Sequence, residues 1–412
     1  MHDPLKAKAN GMLAVATGIN FLAGLLYIWS VIAKGLVEKW GWTSTQASLP
    51  YTIALVSFVI TMALTGPLQD KRGPRLTGTL SGLLMGLGLI LSSLTKDATV
   101  MVLTFGVVTG AGIGLSNVST SPPAVKWFPA RLKGVVTGVV AAGVGIASAF
   151  YAPFTNFMIQ STSINETFLV LGIGILVLVL VLAQFLKNPP AGYPPAAPAP
   201  TQAGQAAAKH AHGADVDWKH LVRDLDFWRL WVMMAFSSAA GLMIIGHAAK
   251  IVKQQAHWDG GFLLVILLAI FNAGGRILGG WVSDRLGRIV LLRLVFLGLA
   301  ATMCVFPLLT TIGTLAVGTA LTGLFYGALF AVFPSTVLER YGVKNYGSNY
   351  GLLMTAWGTG GVIGPMVAAA VVDASKTYFW AYYIAAALCV VAIAVSLTVR
   401  RAKEPASAPP AP

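Results

Sequence analysis

The chain has 412 residues, of which 56% are hydrophobic and only 10% are charged, and its formal net charge is +14. A soluble domain carries about a quarter charged residues, so this composition excludes an ordinary soluble protein and indicates a membrane protein. The positive charge would suit a nucleic-acid partner, but its distribution along the chain argues against one.

Twelve apolar runs are long enough to cross a bilayer, for which roughly 20 residues suffice. They lie at 11–33, 46–68, 77–94, 99–122, 133–158, 167–186, 227–255, 260–282, 289–309, 313–337, 346–371 and 378–399. The first run is too long for a cleavable signal peptide and lacks a small-residue cleavage site. The sequence therefore predicts an all-α membrane protein with twelve transmembrane helices.

Lysine and arginine residues are distributed unevenly between the loops on the two sides of the predicted membrane. Of the 28 lysines and arginines, 21 fall on the side of the chain termini, six fall on the other side, and Arg276 lies within a run. This bias is the positive-inside pattern, which predicts that both termini are cytoplasmic. We expect a multi-pass membrane protein that is a monomer in contact with the lipid bilayer and does not bind nucleic acid.

Two loops repeat the same spacing of glycine and aspartate. Gly66, Asp70 and Gly73 follow the second run, and Gly280, Asp284 and Gly287 follow the eighth. Further glycines recur at a shift of 213, among them Gly110 and Gly323. Two copies in register indicate an internal duplication of the chain into two halves. The predicted halves, each a bundle of six helices, are 1–186 and 225–400.

Residues 187–224 join the two bundles. Prolines, alanines and glycines dominate their first part, which has too little apolar surface to fold and predicts a flexible linker ending in an interfacial segment. His210 and His212 do not make an enclosed metal site. The tail 401–412 is predicted to be disordered. Cys304 and Cys389 fall inside runs as buried thiols, and no cofactor or metal is expected.

Asp70 and Asp284 each stand just past a helix end, where a carboxylate can meet a helix N-terminus or a cation. The candidate cations are Arg131 and Lys133 for Asp70, and Arg340 and Lys344 for Asp284. Such contacts could hold one face of a carrier closed and break in the other state, or they could be fixed structural caps. Asp70, Asp284, Arg131 and Arg340 are therefore candidate gating residues.

Arg276 is the charged residue within the eighth run. A guanidinium stays protonated, and at the bilayer centre it costs about 3 kcal/mol on insertion scales. By helical rise it lies about 12 Å from Asp284. All 14 carboxylates belong to loops, tails or helix rims, so its partner could be an anionic substrate. Asn272, four residues before it, shares its helix face.

Other polar residues fall at central depths of the runs. His247 lies in the outer half of the seventh run and is a candidate for substrate contact, as are Asn117, Tyr326 and Tyr27. Each has an ordinary alternative: a hydrogen bond between helices for the asparagines and His247, and packing for the tyrosines. His247 is also a candidate proton carrier, with Asp259 and Lys376 at the outer rim as a second possibility.

The two glycine–aspartate loops resemble the G-x-x-x-D-[RK]-x-G-[RK] loop of the major facilitator superfamily, although Pro74 interrupts the first copy. Within that superfamily the chain is similar to monocarboxylate transporters, bacterial lactate permeases and oxalate/formate exchangers. Leu25–Trp29, Lys126–Pro129, Arg276 and Lys344–Gly347 carry this resemblance. The resemblance implies two six-helix bundles around a central cavity, in a bacterial cytoplasmic (inner) membrane. The chain departs from these families at two positions: Trp357 stands where the oxalate exchanger has a second cation, and Asn272 where animal monocarboxylate transporters have an aspartate.

These observations predict a secondary active transporter that moves a small monocarboxylate, lactate-like or pyruvate-like, with a proton by alternating access. One fixed cation without a fixed anion suits a monoanion, and the planar fork of arginine suits a carboxylate. The alternative is an obligatory organic-anion exchanger of the oxalate/formate type, which needs no proton site. The sequence offers no nucleophile–base pair or phosphate loop, so an enzyme is not expected.

Overall fold

The computed structural model describes residues 4–129, 132–190, 193, 215–258 and 260–399. Within these residues every regular element is a helix. The α-helices are Pro4–Leu22, Trp29–Trp40, Ser44–Arg72, Pro74–Ser93, Ala98–Met101, Gly110–Lys126, Lys133–Ser161, Ile164–Ala183, Trp218–Leu221, Leu225–Ala256, Gly261–Leu286, Arg288–Val305, Ile312–Tyr341, Tyr346–Ser375 and Phe379–Thr398. Short 3₁₀ helices occupy Gly24–Ile28 and Phe306–Leu308, and a π-helix occupies Val102–Thr109.

Twelve stretches of the described helices are long and apolar enough to cross a membrane, which confirms the predicted all-α fold with twelve spans. Numbered in chain order, spans 1 to 12 are Leu5–Ile28, Leu49–Arg72, Pro74–Ser93, Ala98–Lys126, Lys133–Ser161, Ile164–Ala183, Leu225–Ala248, Leu263–Leu286, Arg288–Leu308, Ile312–Tyr341, Tyr346–Val372 and Phe379–Thr398. Several helices run past the predicted edges, because charged residues such as Lys71 and Arg72 extend the helix beyond its apolar core.

Spans 1–6 pack mainly against one another, and so do spans 7–12. The two groups meet where spans 2 and 5 contact spans 11, 8 and 10. Because the chain crosses twelve times, its first and last described helix ends lie on one face, which we call the proximal face; the opposite one is the distal face. The proximal face is the side that the distribution of lysine and arginine predicts to be cytoplasmic.

Close contacts between the two groups occupy their proximal halves. Gly66 of span 2 lies against the backbone of Gly347 in span 11, and Gly134 of span 5 lies against Gly280 in span 8. A Cβ atom at Gly66, Gly134 or Gly280 would overlap the facing backbone, and one at Gly347 would overlap side chains of span 2. Glycine therefore allows the helices to approach closely enough to seal the proximal side.

Span 1 changes from α to 3₁₀ geometry at Gly24–Ile28, the turn that carries Tyr27. Gly24 lies so close to Ala147 of span 5 that a Cβ there would overlap the alanine side chain. This contact brings span 1 onto span 5 at the depth of the candidate site. The division into domains at 186, 224 and 400 stays a prediction, since much of the linker and the whole tail lie outside the described residues.

Candidate functional site

Arg276 of span 8 is at the interface between the two groups of helices and is only 2% exposed. Its Nε donates at 2.8 Å to Oδ1 of Asn272, one turn earlier in the same helix. One terminal nitrogen donates to the carbonyl oxygen of Ala141 at 2.6 Å, and the other to the hydroxyl of Tyr27 at 3.3 Å. The structure thus brings together three of the predicted residues, Arg276, Asn272 and Tyr27.

Small residues allow the helices around Arg276 to pack closely. Gly138 of span 5 faces the backbone carbonyl of Arg276, and Gly275 faces the carbonyl of Leu324 in span 10. In both places a Cβ would overlap the facing oxygen. The guanidinium is therefore enclosed by spans 1, 5 and 10, away from lipid.

The charge of Arg276 has no acidic partner among the described side chains. The ion pairs that the structure describes lie elsewhere, in loops and near helix ends. Its hydrogen-bond acceptors are an amide oxygen, a carbonyl and a hydroxyl, all neutral. The guanidinium also lies 4.3 Å from the ring centroid of Phe330, a cation–π contact that stabilises the charge without neutralising it.

Three of the five guanidinium N–H groups are used by these contacts, which leaves two donors. The side-chain nitrogen of Asn272 is buried and has no hydrogen-bond partner. An unpaired buried donor costs about 1–3 kcal/mol, and an acceptor placed beside it would recover that energy. Arg276 and Asn272 together can therefore donate to a carboxylate without losing their present contacts.

An aromatic wall borders Arg276. Trp357 of span 11 donates from Nε1 to the hydroxyl of Tyr326 at 2.8 Å, and both rings pack edge-on against Phe330. Phe58 of span 2 packs edge-on against Trp357 at 5.2 Å, across the boundary between the two groups. Tyr326 thus joins the site as predicted, through its contact with Phe330, and its hydroxyl is already bonded to Trp357.

Sequence reasoning missed two contributors. The carbonyl of Ala141 is a backbone group, and no side-chain pattern marks it. Phe58 is one apolar residue among many in span 2, so nothing in its sequence context distinguishes it from a lipid-facing residue.

Asn117 and His247 have no hydrogen bond to this cluster among the described residues. Asn117 donates to the carbonyl of Ile113 on its own helix, at 3.3 Å. His247 binds the carbonyl of Pro365 through Nε2 at 3.3 Å and the hydroxyl of Tyr378 through Nδ1 at 3.0 Å. A carbonyl only accepts, so Nε2 carries the proton and Nδ1 accepts in the neutral ring.

The distal end of spans 7, 11 and 12 contains His247 and its partners. Burial raises the pKa of Tyr378, and its protonated hydroxyl can donate to His247. Tyr378 lines a distal cavity of about 540 Å³ together with Gln254, Gln255 and Tyr382. The backbone carbonyl of Lys376 accepts from Gln254 at 2.6 Å in the same region. The other predicted rim residue, Asp259, lies outside the described residues.

The predicted gating aspartates bind helix N-termini of the opposite group. Asp70 accepts from the backbone N–H groups of Gly347 and Ser348 at the start of span 11, at 3.2 and 3.0 Å. Asp284 accepts from Gly134 and Val135 at the start of span 5, at 3.2 and 3.1 Å. A carboxylate at a helix N-terminus meets unpaired donors and the positive end of the helix dipole.

The candidate cations are placed differently from the prediction. Arg340 pairs with Asp226 at 3.4 Å, and the ion-pair partner of Asp284 is Arg288 at 2.5 Å. Arg340 as the partner of Asp284 was therefore wrong, because the cation that Asp284 binds is Arg288, four residues along the chain. The backbone donors of both aspartates belong to the other half of the chain. Arg131, the first candidate for Asp70, lies outside the described residues.

Comparison with known proteins places these features in a family. The profile of the Major Facilitator Superfamily matches residues 13–317 and 294–412. The oxalate:formate antiporter of Oxalobacter formigenes is 24% identical over 90% of this chain and 88% of its own length. The uncharacterized MFS-type transporter YhjX of Escherichia coli (strain K12) is 26% identical over 83% of each chain. Monocarboxylate transporter 13 of Rattus norvegicus is 25% identical over 81% of this chain and 74% of its own length.

Solved structures share the fold at lower identity. The MFS transporter FucP in the outward conformation superposes with a TM-score of 0.72 at 16% identity, covering 94% of this chain and 98% of FucP. The proton:xylose symporter XylE gives a TM-score of 0.75 at 15% identity, covering 96% of both chains.

Proposed function

Because this chain belongs to the Major Facilitator Superfamily and is a membrane transporter, we propose that it moves a small monocarboxylate together with a proton by alternating access. Lactate-like and pyruvate-like anions are the substrate class. The names of the oxalate:formate antiporter and of monocarboxylate transporter 13 refer to organic anions, which supports an anion as the substrate.

The observation that carries the proposal is the uncompensated charge of Arg276. A buried guanidinium with only neutral acceptors costs about 3 kcal/mol in a bilayer, and a bound carboxylate would offset that cost. This energy corresponds to about a hundredfold in binding affinity. Arginine also presents two parallel donors, the geometry that a carboxylate accepts.

The surroundings favour a small substrate with one negative charge. Within the described cluster the cation is Arg276. Phe330 contacts both its guanidinium and the neutral ring of Trp357. A second carboxylate would therefore enter an aromatic environment without a counter-charge, at a large desolvation cost. The hydroxyl of Tyr27 and the amide nitrogen of Asn272 could bind a hydroxyl or oxo group beside the carboxylate.

Proton coupling is the finer part of the proposal. A monocarboxylate and a proton form an electroneutral pair, so the membrane potential would add no net driving force. His247 is the titratable candidate, and its partner Tyr378 lines the distal cavity. Because His247 shares no contact with Arg276, protonation would act through spans 7 and 11 rather than by contact with the substrate.

Obligatory anion exchange is the second candidate. It is favoured by one observation: among the described residues no titratable carboxylate accompanies Arg276, so the site itself has no evident proton acceptor. An exchanger would return with another anion bound. The charge of Arg276 would then always have a bound anion while the carrier changes state.

Uptake into proteoliposomes separates the candidates. Lactate, pyruvate, formate and oxalate would each be offered with and without an imposed pH step, and with and without anion inside. Uptake of a monocarboxylate driven by the pH step into empty vesicles supports proton symport. Uptake that requires internal anion and ignores the pH step supports exchange. A preference for oxalate over every monocarboxylate would contradict the proposed substrate class.

A further inference from the structure

Within the joining segment 187–224, Asp215, Val216 and Asp217 form a short segment bound to the loop between spans 10 and 11; we call it the linker strap. Its backbone joins that loop directly, since the N–H of Val216 donates to the carbonyl of Tyr341 at 3.0 Å. The carbonyl of Val216 accepts from the side chains of Asn345 and Asn349, at 3.3 and 3.0 Å.

Asp215 makes the contacts that fix the shape of this loop. Its Oδ1 accepts from the backbone N–H groups of Val343 and Lys344, both at 3.0 Å. The carboxylate also lies against Gly342, whose φ of +82° belongs to the region that favours glycine. Any side chain at 342 would collide with Asp215, so the turn and the strap fit each other.

The loop that the strap holds is one side of the proximal contact between the two groups of helices. It leads directly into span 11, where Gly347 and Ser348 donate to Asp70 of span 2. Lys344, held by Asp215, is three positions before Gly347, held by Asp70. A change in the turn at 342–344 therefore shifts the two donors that Asp70 accepts from.

An electrostatic interaction also connects the linker strap with the first group of helices. Lys126, at the proximal end of span 4, lies within electrostatic range of both Asp70 and Asp215. Lys126 and Asp70 belong to the first group of helices, whereas Asp215 is bonded to the loop of the second. The strap thus places an anion at the boundary between the groups, where a cation of the opposite group faces it.

We propose that Asp215 is a positioning residue of the proximal gate: it holds the turn before span 11 so that Gly347 and Ser348 meet Asp70. The linker strap thereby stabilises the state in which the proximal side is closed. Loss of the hydrogen bonds that Asp215 accepts from Val343 and Lys344 shifts the carrier toward the state that is open on the proximal side. This role does not depend on which anion the protein transports.

The test measures the balance of the two states in the full-length chain without substrate. In a background with Cys304→Ser and Cys389→Ser, spin labels at Arg75→Cys and Leu286→Cys report the proximal distance between the groups. Labels at Gln160→Cys and Thr310→Cys report the distal distance. All four positions are exposed and lie near helix ends. Electron–electron double resonance then gives the populations of long and short distances.

Asp215→Ala should raise the ratio of long to short proximal distances about fivefold, the effect typical of losing one helix-terminal cap, and lower it at the distal pair. Asp215→Asn should stay near the wild-type ratio, because its amide oxygen still accepts from both N–H groups.

The matched control is Asp217→Ala. Asp217 lies on the same strap but caps the short helix Trp218–Leu221 by accepting from His220, whose hydrogen bonds lower the pKa of Asp217. This variant should keep the wild-type distances.

Three results would overturn the proposal. Asp215→Ala could leave both distance distributions unchanged, or Asp217→Ala could shift them equally, which would make the effect a general loosening of the strap. An Asp215→Asn variant that behaves like Asp215→Ala would refute the assignment to hydrogen bonds.

Discussion

A terminal nitrogen of Arg276 in span 8 donates to the carbonyl oxygen of Ala141 in span 5, with an N···O distance of 2.6 Å. The cation of the second group of helices is therefore bound to the backbone of the first. Any ligand that binds Arg276 acts at a contact between the two groups that move in alternating access. A binding event there can change the balance between the carrier states only by binding one state more tightly than the other.

Arg276→Gln should lower anion uptake at least a hundredfold while leaving membrane insertion intact, because the glutamine amide is neutral and lacks the fork. Arg276→Lys should lose less, since the charge remains. The measurement is initial uptake rate in proteoliposomes at matched protein content. Arg293→Gln is the control, since Arg293 binds Ser396 within the second group of helices. Uptake by Arg276→Gln at the wild-type rate would refute the assignment of the substrate site.

Asn272→Asp should raise the KM for a monocarboxylate about tenfold or more at neutral pH. The new carboxylate would lie at the Nε of Arg276 and compete with the substrate for the same charge. Acidic pH should relieve the effect, because the protonated side chain no longer competes.

Initial rates measured across pH test this prediction. Asn117→Asp serves as the control, since Asn117 donates to its own helix and has no hydrogen bond to Arg276. An unchanged KM in Asn272→Asp, or an equal change in both variants, would contradict it.

Asp70→Ala should weaken closure of the proximal face, because two N–H donors at the start of span 11 lose their charged acceptor. A capping loss of about 1 kcal/mol shifts the balance of states about fivefold. Labelling of a proximal cysteine by a membrane-impermeant thiol reagent, with and without substrate, would show the shift.

Asp97→Ala is the matched control for Asp70→Ala. Asp97 also caps a helix N-terminus, accepting from Thr99 and Val100, but it does so within one group of helices on the distal side. Equal labelling in Asp70→Ala and wild type would leave Asp70 as a structural cap without a gating role.

Gly138→Ala should reduce transport by opposing closure of the proximal half, since its methyl group would overlap the carbonyl oxygen of Arg276. Overpacking of this kind costs about 1–3 kcal/mol. Gly274→Ala, in the same helix as Arg276, meets nothing within 4 Å and should transport normally. Its unfolding midpoint should stay equal or rise, because alanine is favoured over glycine in a helix. Normal transport by Gly138→Ala would contradict the close packing.

His247→Gln should flatten the pH dependence of uptake and leave the selectivity among monocarboxylates nearly unchanged. Glutamine can still donate to Pro365 and accept from Tyr378, but it does not titrate. The pH profile of initial rates, measured for lactate and pyruvate, makes the comparison. A profile identical to that of wild type would exclude His247 as the proton carrier.

Much of the fold could be predicted from the sequence. The number of spans follows from apolar length alone, because a helix must bury about 20 apolar residues to cross a bilayer. The duplication was visible because Gly66, Asp70 and Gly73 recur at a fixed shift. Arg276 was identifiable because a guanidinium cannot lose its charge, so its presence in an apolar run demands a neutralising or polar environment.

Partners across the two groups of helices could not be predicted. Asp70 was matched with cations of its own half, whereas the structure pairs it with N–H groups of Gly347 and Ser348 in the other. The acceptor on Ala141 is a backbone carbonyl, whose environment no residue type reveals. His247 had the depth of a site residue but is bonded to Pro365 and Tyr378.

The sequence by itself determined which groups must be satisfied: a permanent cation, two helix-end carboxylates and twelve apolar helices. Only the tertiary structure decided what satisfies them, because helices of similar polarity can pack in many arrangements, and the contacts between helices distant along the chain select one. The charge of Arg276 followed from its chemistry, and its neutral surroundings followed from the packing of spans 1, 5, 8 and 10.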